Sequence, residues 1–137
     1  MKTEFIDIEK TISLDFDGTV VGHTYPGIGK DIGAIPVLKE LVENGCRLIL
    51  WTMRGTYDSG LEDAKNWFKE NDIPLFGIQT NPYQGRWTNS PKPHSHLIID
   101  DTALGIPLRY DSSISDRPFV DWTFTRDILI EKGFLKK

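Results

Sequence analysis

The chain of 137 residues contains one cysteine, Cys46, so no disulfide can close within it. The apolar neighbourhood of Cys46 predicts a buried thiol and leaves catalysis by cysteine without support. No run of about 18 apolar residues exists, as a membrane-spanning helix would need. The opening MKTEFIDIEKT has no apolar stretch of signal-peptide length. A cytoplasmic protein with no membrane partner is the expectation. Positive charge is in deficit, with 16 Lys and Arg against 20 Asp and Glu, a formal net charge of −4. That balance gives no long-range attraction to polyanions, although a local basic patch stays open. Internal repeats, linkers and low-complexity tracts are also missing.

What is present fits an ordinary globular protein, with 39% hydrophobic and 26% charged residues. The length suits one domain spanning residues 1–137 and one active site. Four Trp predict a well-filled core. Thr11 to Asp15 (TISLD) reads as a buried parallel strand that stops abruptly at acidic residues and glycine. Pro36 to Asn44 places Val37, Leu38, Leu41 and Val42 on one helical face, with Pro36 in the first turn and Gly45 at C′. Arg47 to Thr52 (RLILWT) repeats the strand pattern. Ser59 to Asn71 follows as a helix, with Leu61, Ala64 and Phe68 at helical spacing. Pro74 to Ile78 and His96 to Asp100 read as further strands, and Thr125 to Lys132 as a last helix. Strands alternating with helices predict an α/β fold with three layers and a central parallel sheet. Val20 to Gly33 and Gln79 to Ser95 resist regular structure, and loops of that length are usually functional.

In an open parallel sheet, ligands sit beyond the carboxyl ends of the strands. Those ends read DFDGT, WTMR and IIDD. Asp15 and Asp17, two residues apart, point to one side if the chain stays extended, with Phe16 opposite and Gly18 allowing a sharp turn. Three or four carboxylates from Asp15, Asp17, Asp100 and Asp101 would repel one another unless a cation neutralised them. An all-oxygen set of this kind suits Mg²⁺. Thr52 offers a hydroxyl and backbone amides to phosphoryl oxygens, and Arg54 a contact to the phosphate or the leaving group. Lys92, eight residues before Asp100, is the expected positive side chain.

Blander readings stand beside these. DFDGT resembles a fragment of a calcium loop, but a calcium loop needs further oxygen ligands at alternate positions, where His23 and Tyr25 lie beyond. Asp100 and Asp101 also suit capping of a turn. His94 and His96 lack the third ligand a zinc site needs. Trp87 is the one tryptophan whose loop is expected to border the site.

A strand ending in DFDGT, another ending in Thr52, then Lys92, then IIDD is similar to the four ordered motifs of the haloacid dehalogenase-like superfamily. The resemblance covers most of the chain. It implies a Rossmann-like domain and a Mg²⁺-dependent phosphomonoester hydrolase. Asp15 would be the nucleophile, forming an aspartyl-phosphate, and Asp17 the acid and base, with Lys92 completing the catalytic set. Substrate would meet Gly18, Thr19, Thr52, Met53 and Arg54. Asp15, the backbone carbonyl of Asp17, and Asp100 or Asp101 would hold the metal. The intervals after the first motif and before the lysine are too short for a cap domain, and the first suits a small turn and flap. WTNSPKPHSHLIIDD is similar to small capless members of phosphatase type. A phosphorylated small molecule is the expected substrate and a nucleic-acid end the second, as in a polynucleotide 3′-end phosphatase or related phosphotransferase. An open site also admits closure by a homo-oligomer. The reading from another class is a non-catalytic module that binds metal and phosphate.

Overall fold

The computed structural model describes residues 10–137. The expectation drawn from the first nine residues, that no leader is present, lies outside them. Strand β1, Thr11–Leu14, is buried along its whole length. It pairs in parallel with β2, Arg47–Leu50, on one side and β4, Leu97–Ile99, on the other. Two-residue β3, Gly77–Ile78, adds to β2 and completes the order β3-β2-β1-β4. Leu14 is level with both Leu50 and Ile99, so these three strands end at one height. The ladder continues one step, with the Asp15 amide donating to the Ile99 carbonyl at 3.0 Å and the Trp51 amide to that of Leu14 at 2.9 Å. Whatever follows the three strands therefore emerges along one edge.

Helix α1, Ala34–Glu43, buries Ala34, Val37, Leu38 and Leu41, the stripe that a 3.6-residue period dictates. It starts two residues before Pro36, because the first-turn amides have no intrahelical partner and proline forfeits nothing there. Helix α2, Gly60–Glu70, buries Ala64 and Phe68. Helix α3, Trp122–Glu131, begins three residues earlier than the sequence suggested. The Asp121 side chain accepts the Thr123 and Phe124 amides and so caps the turn there.

All three helices end alike. In α1 the Cys46 amide returns to Leu41 and that of Gly45 to Val42; Ile73 and Phe134 make the corresponding bonds to Phe68 and Leu129. Glycine serves the left-handed position after α1 and α3, and Asp72, at φ 56, serves it after α2.

Among the described residues the result is an α/β fold, a four-stranded parallel sheet with three helices, in keeping with a Rossmann-like three-layer architecture. Phe16 packs edge-on against Trp67 of α2, and Arg126 of α3 pairs with Glu40 of α1. Trp122 is buried in the core and donates to the Thr19 carbonyl at 2.7 Å. Of the tryptophans expected to pack, Trp51 is exposed, and Trp87, whose loop was expected to border the site, is exposed as well.

One feature was not foreseen. Strands β5, Leu108–Arg109, and β6, Phe119–Val120, form an antiparallel pair. The Val120 amide donates to the Gly18 carbonyl at 3.0 Å, which ties this ribbon to the turn after β1. The first long loop folds as a flap, with the Gly22 amide bonded to Lys30 and a bridge between Val21 and Asp31. Among the described residues no helix is long and apolar enough to cross a membrane.

Candidate active site

Beyond the strand ends lies a cavity of about 210 Å³ lined by Asp15, Asp17, Asp100 and Asp101, with Thr52, Met53, Thr102, His23 and Arg117. One oxygen from each of Asp15, Asp100 and Asp101 lies within 4.8 Å of the other two. The Asp15 carboxyl is pushed up to about 8, first by burial and then by the facing charge of Asp100, against the lowering effect of a Thr19 hydrogen bond. A group so disposed holds its proton near neutral pH unless a cation replaces it. Three hard oxygen donors at this spacing fit Mg²⁺, which prefers carboxylates and water.

The convergence is of three carboxylates, not four. Asp17 is turned aside to Arg54, whose Nε and Nη2 each donate to it at 2.8 Å. Arg54 is buried, and its remaining donors reach the carbonyls of Pro26, Gly27 and Gly60. The hydrogen bond that Arg54 donates to Asp17 is the first cause of its raised pKa. The expectation that Arg54 meets phosphate or leaving group is therefore corrected, since all five N–H groups are spent inside the protein. Its task is to hold Asp17, the flap and the start of α2 together.

Thr19 is corrected likewise. Fully buried, its hydroxyl accepts the Asp101 amide at 2.9 Å and donates to Asp15 at 2.9 Å, so it braces carboxylates and does not meet substrate. Gly18 is buried with its amide on Val21, and it too leaves the substrate-binding set. Thr52 does line the cavity, but its amide donates to the Gln79 side chain at 2.8 Å and its hydroxyl accepts the Arg54 amide. Met53 is almost wholly exposed beside it. Asp100 accepts from the Thr102 amide and hydroxyl at one oxygen and also contributes to the three-carboxylate cluster.

The structure does not bring Lys92 to the cavity. It is exposed, absent from the lining, and its loop is fixed through backbone bonds to Gln84 and Ser90. Trp87 stands against His94 and also lies off the cavity. Three residues in the lining, Thr102, His23 and Arg117, were not among the site residues expected from the sequence. His23, on the flap, puts Nε2 3.3 Å from Asp101 Oδ2 and 3.1 Å from the Pro118 carbonyl. Arg117, from the segment before β6, donates to His23 Nδ1 at 2.8 Å. No motif marked either; the glycines around His23 signalled a loop and nothing more.

No protein-family model matches the chain, and no curated protein matches it. A solved structure from Bacteroides thetaiotaomicron, described as that of a conserved protein, is similar to it, with a TM-score of 0.71 and 32% identity over 90% of this chain and 91% of that one. At that identity and coverage the chain belongs to the same family as that conserved protein of Bacteroides thetaiotaomicron.

Proposed function

We propose that the chain is a Mg²⁺-dependent phosphomonoester hydrolase of haloacid dehalogenase-like type, acting through an aspartyl-phosphate on Asp15. The observation that carries this reading is the division of labour between the two aspartates of DFDGT. Asp15 sits in the three-carboxylate cluster, and Asp17 is fixed apart from it by Arg54.

In the first displacement an Asp15 oxygen attacks phosphorus, the ester P–O bond breaks, and Asp17 gives the departing oxygen a proton. In the second, Asp17 takes a proton from water, whose oxygen attacks the same phosphorus. The acyl-phosphate bond then breaks and releases inorganic phosphate and the Asp15 carboxylate. Thr19 keeps Asp15 oriented throughout, and Asp100 and Asp101, with Asp15, are the residues that would hold Mg²⁺. When bound, the ion would offset carboxylate repulsion and polarise the phosphoryl group.

The substrate class is a small phosphate monoester. A polynucleotide end would need a basic channel, for which the sequence offers Arg54, Lys30, Arg86 and Lys92; Arg54 is committed to Asp17, Lys30 to the Ser113 carbonyl and Arg86 to the Tyr83 ring, and Lys92 is exposed outside the cavity lining.

The test is phosphate release from a panel running from p-nitrophenyl phosphate through sugar phosphates and nucleotides to 3′-phosphorylated oligonucleotides. It is run with and without Mg²⁺, with Asp15→Asn as control. Metal-dependent release that vanishes in the variant is expected. No release from any ester, with Mg²⁺ binding intact, sinks the hydrolase and leaves a binding module.

A further inference from the structure

The cavity's charges do not balance on the motif residues alone. Four carboxylates line it, and Arg54 offsets one of them from within the protein. A divalent cation on the other three would still leave one net negative charge facing a dianionic ester. Lys92 does not supply the missing charge, being exposed and outside the lining. Among the described residues that line the cavity, Arg117 is the cation with its guanidinium still open.

We propose that Arg117 is the substrate-binding cation of this site, taking non-bridging oxygens of a phosphate monoester. The proposal rests on the hydrolase reading given above. Only Nη2 of Arg117 is engaged, by the His23 ring, so Nε and Nη1 keep three N–H donors. Nε–H and the Nη1 hydrogens lie on different edges, so each can give a phosphoryl oxygen a single charge-assisted hydrogen bond. The mount is firm on both sides. His23 accepts from Arg117 at Nδ1, so its proton lies on Nε2, which faces Asp101 and the Pro118 carbonyl. Pro118 and Phe119 then lead into the Val120 amide, bonded to Gly18 directly after Asp17. A polar chain thus runs from Arg117 through His23, Asp101 and Thr19 to Asp15.

The experiment is calorimetric titration of the Mg²⁺-loaded protein with inorganic phosphate, for wild type, Arg117→Ala, Arg117→Lys and Lys92→Ala. Mg²⁺ affinity and p-nitrophenyl phosphate kinetics are measured on the same samples. Arg117→Ala is expected to weaken phosphate binding at least about tenfold and to raise KM comparably, the scale of a charge-assisted contact, with Mg²⁺ affinity held. Arg117→Lys recovers part of the loss, and Lys92→Ala stays within about twofold of wild type. Wild-type phosphate affinity in Arg117→Ala overturns the proposal, as does a loss that belongs to Lys92→Ala or that only follows a loss of Mg²⁺. Phosphate binding that depends on Arg117 without ester turnover upholds it while sinking the hydrolase. Turnover indifferent to Arg117 does the reverse.

Discussion

Arg54 and Asp17 form an ion pair in which both carboxylate oxygens accept from one guanidinium, each at 2.8 Å, with the arginine side chain 1% exposed and the aspartate 20%. The two residues come from different strand ends, and the carbonyls of Pro26, Gly27 and Gly60 complete the arginine's shell. The pair separates the two aspartates of DFDGT, leaving Asp15 to the carboxylate cluster while Asp17 is held apart from it.

Removing Arg54 strips partners from a carboxylate and three carbonyls at once. Arg54→Ala should lower the unfolding free energy by about 3–5 kcal/mol, as breaking a largely buried pair does. Arg54→Lys should recover little, because one ammonium carries three donors for five acceptors. Urea denaturation measures both, and a loss below about 1 kcal/mol would show the pair to be incidental.

On the proposed mechanism Asp15→Asn removes the nucleophile, and it takes one ionisable group from the cluster while nearly keeping its shape. Turnover should fall by at least about 10³-fold, since an amide oxygen is a poor nucleophile. The metal-free variant should melt higher than wild type at neutral pH, because it no longer has to keep on a buried carboxyl a proton that the unfolded chain releases, and Mg²⁺ should raise its melting point less. A variant that melts lower without metal and keeps the full Mg²⁺ response would show that Asp15 lies outside the metal set.

The strands and helices were legible because short apolar runs and 3.6-residue stripes belong to local sequence. Gly45 marked the end of α1 for the same reason. The cluster was legible because parallel strands in register put Asp15 and Asp100 on one edge, so motif order became proximity. Arg54 was misread because its position after β2 told of nearness but not of direction. A flap folded over it at Pro26 and Gly27 consumes the donors that phosphate was expected to take. Arg117 was missed because it reaches the site through the ribbon of β5 and β6, whose two-residue strands carry no periodic signal. The early start of α3 was missed for want of recognising Asp121 as a cap.

The raised Asp15 pKa makes metal-free stability depend on pH in a stated direction. The folded carboxyl titrates at about 8 and the unfolded one at its ordinary 3.8, so between these the folded chain keeps a proton that the unfolded chain releases. Stability from this group is therefore full below about pH 4, falls as pH rises toward 8 and is flat above. Glu40, Asp58 and Asp111 are shifted downward, so their opposite contributions are complete at lower pH. A cation must displace the Asp15 proton, and Mg²⁺ affinity should climb over the same window. Denaturation in chelator and Mg²⁺ titration between about pH 5 and 9 measure the two. A rise of metal-free stability with pH, or the same falling slope in Asp15→Asn, would remove Asp15 as its source.

Gly18 carries the close approach of flap to cluster. Its φ is +78°, and a Cβ there would collide with the His23 ring and come within 2.8 Å of Asp101 Oδ2. Gly45 has a similar φ, +87°, but open space where its Cβ would go. Alanine at Gly45 therefore meets the backbone term alone, about 1 kcal/mol, whereas alanine at Gly18 must also move His23. Gly18→Ala should lose clearly more stability than Gly45→Ala and should weaken Mg²⁺ binding, since His23 bears on Asp101; Gly45→Ala should leave Mg²⁺ binding alone. Equal losses, with metal affinity unchanged in both, would mean that the His23 ring yields freely and that its bond to Asp101 does not shape the cluster.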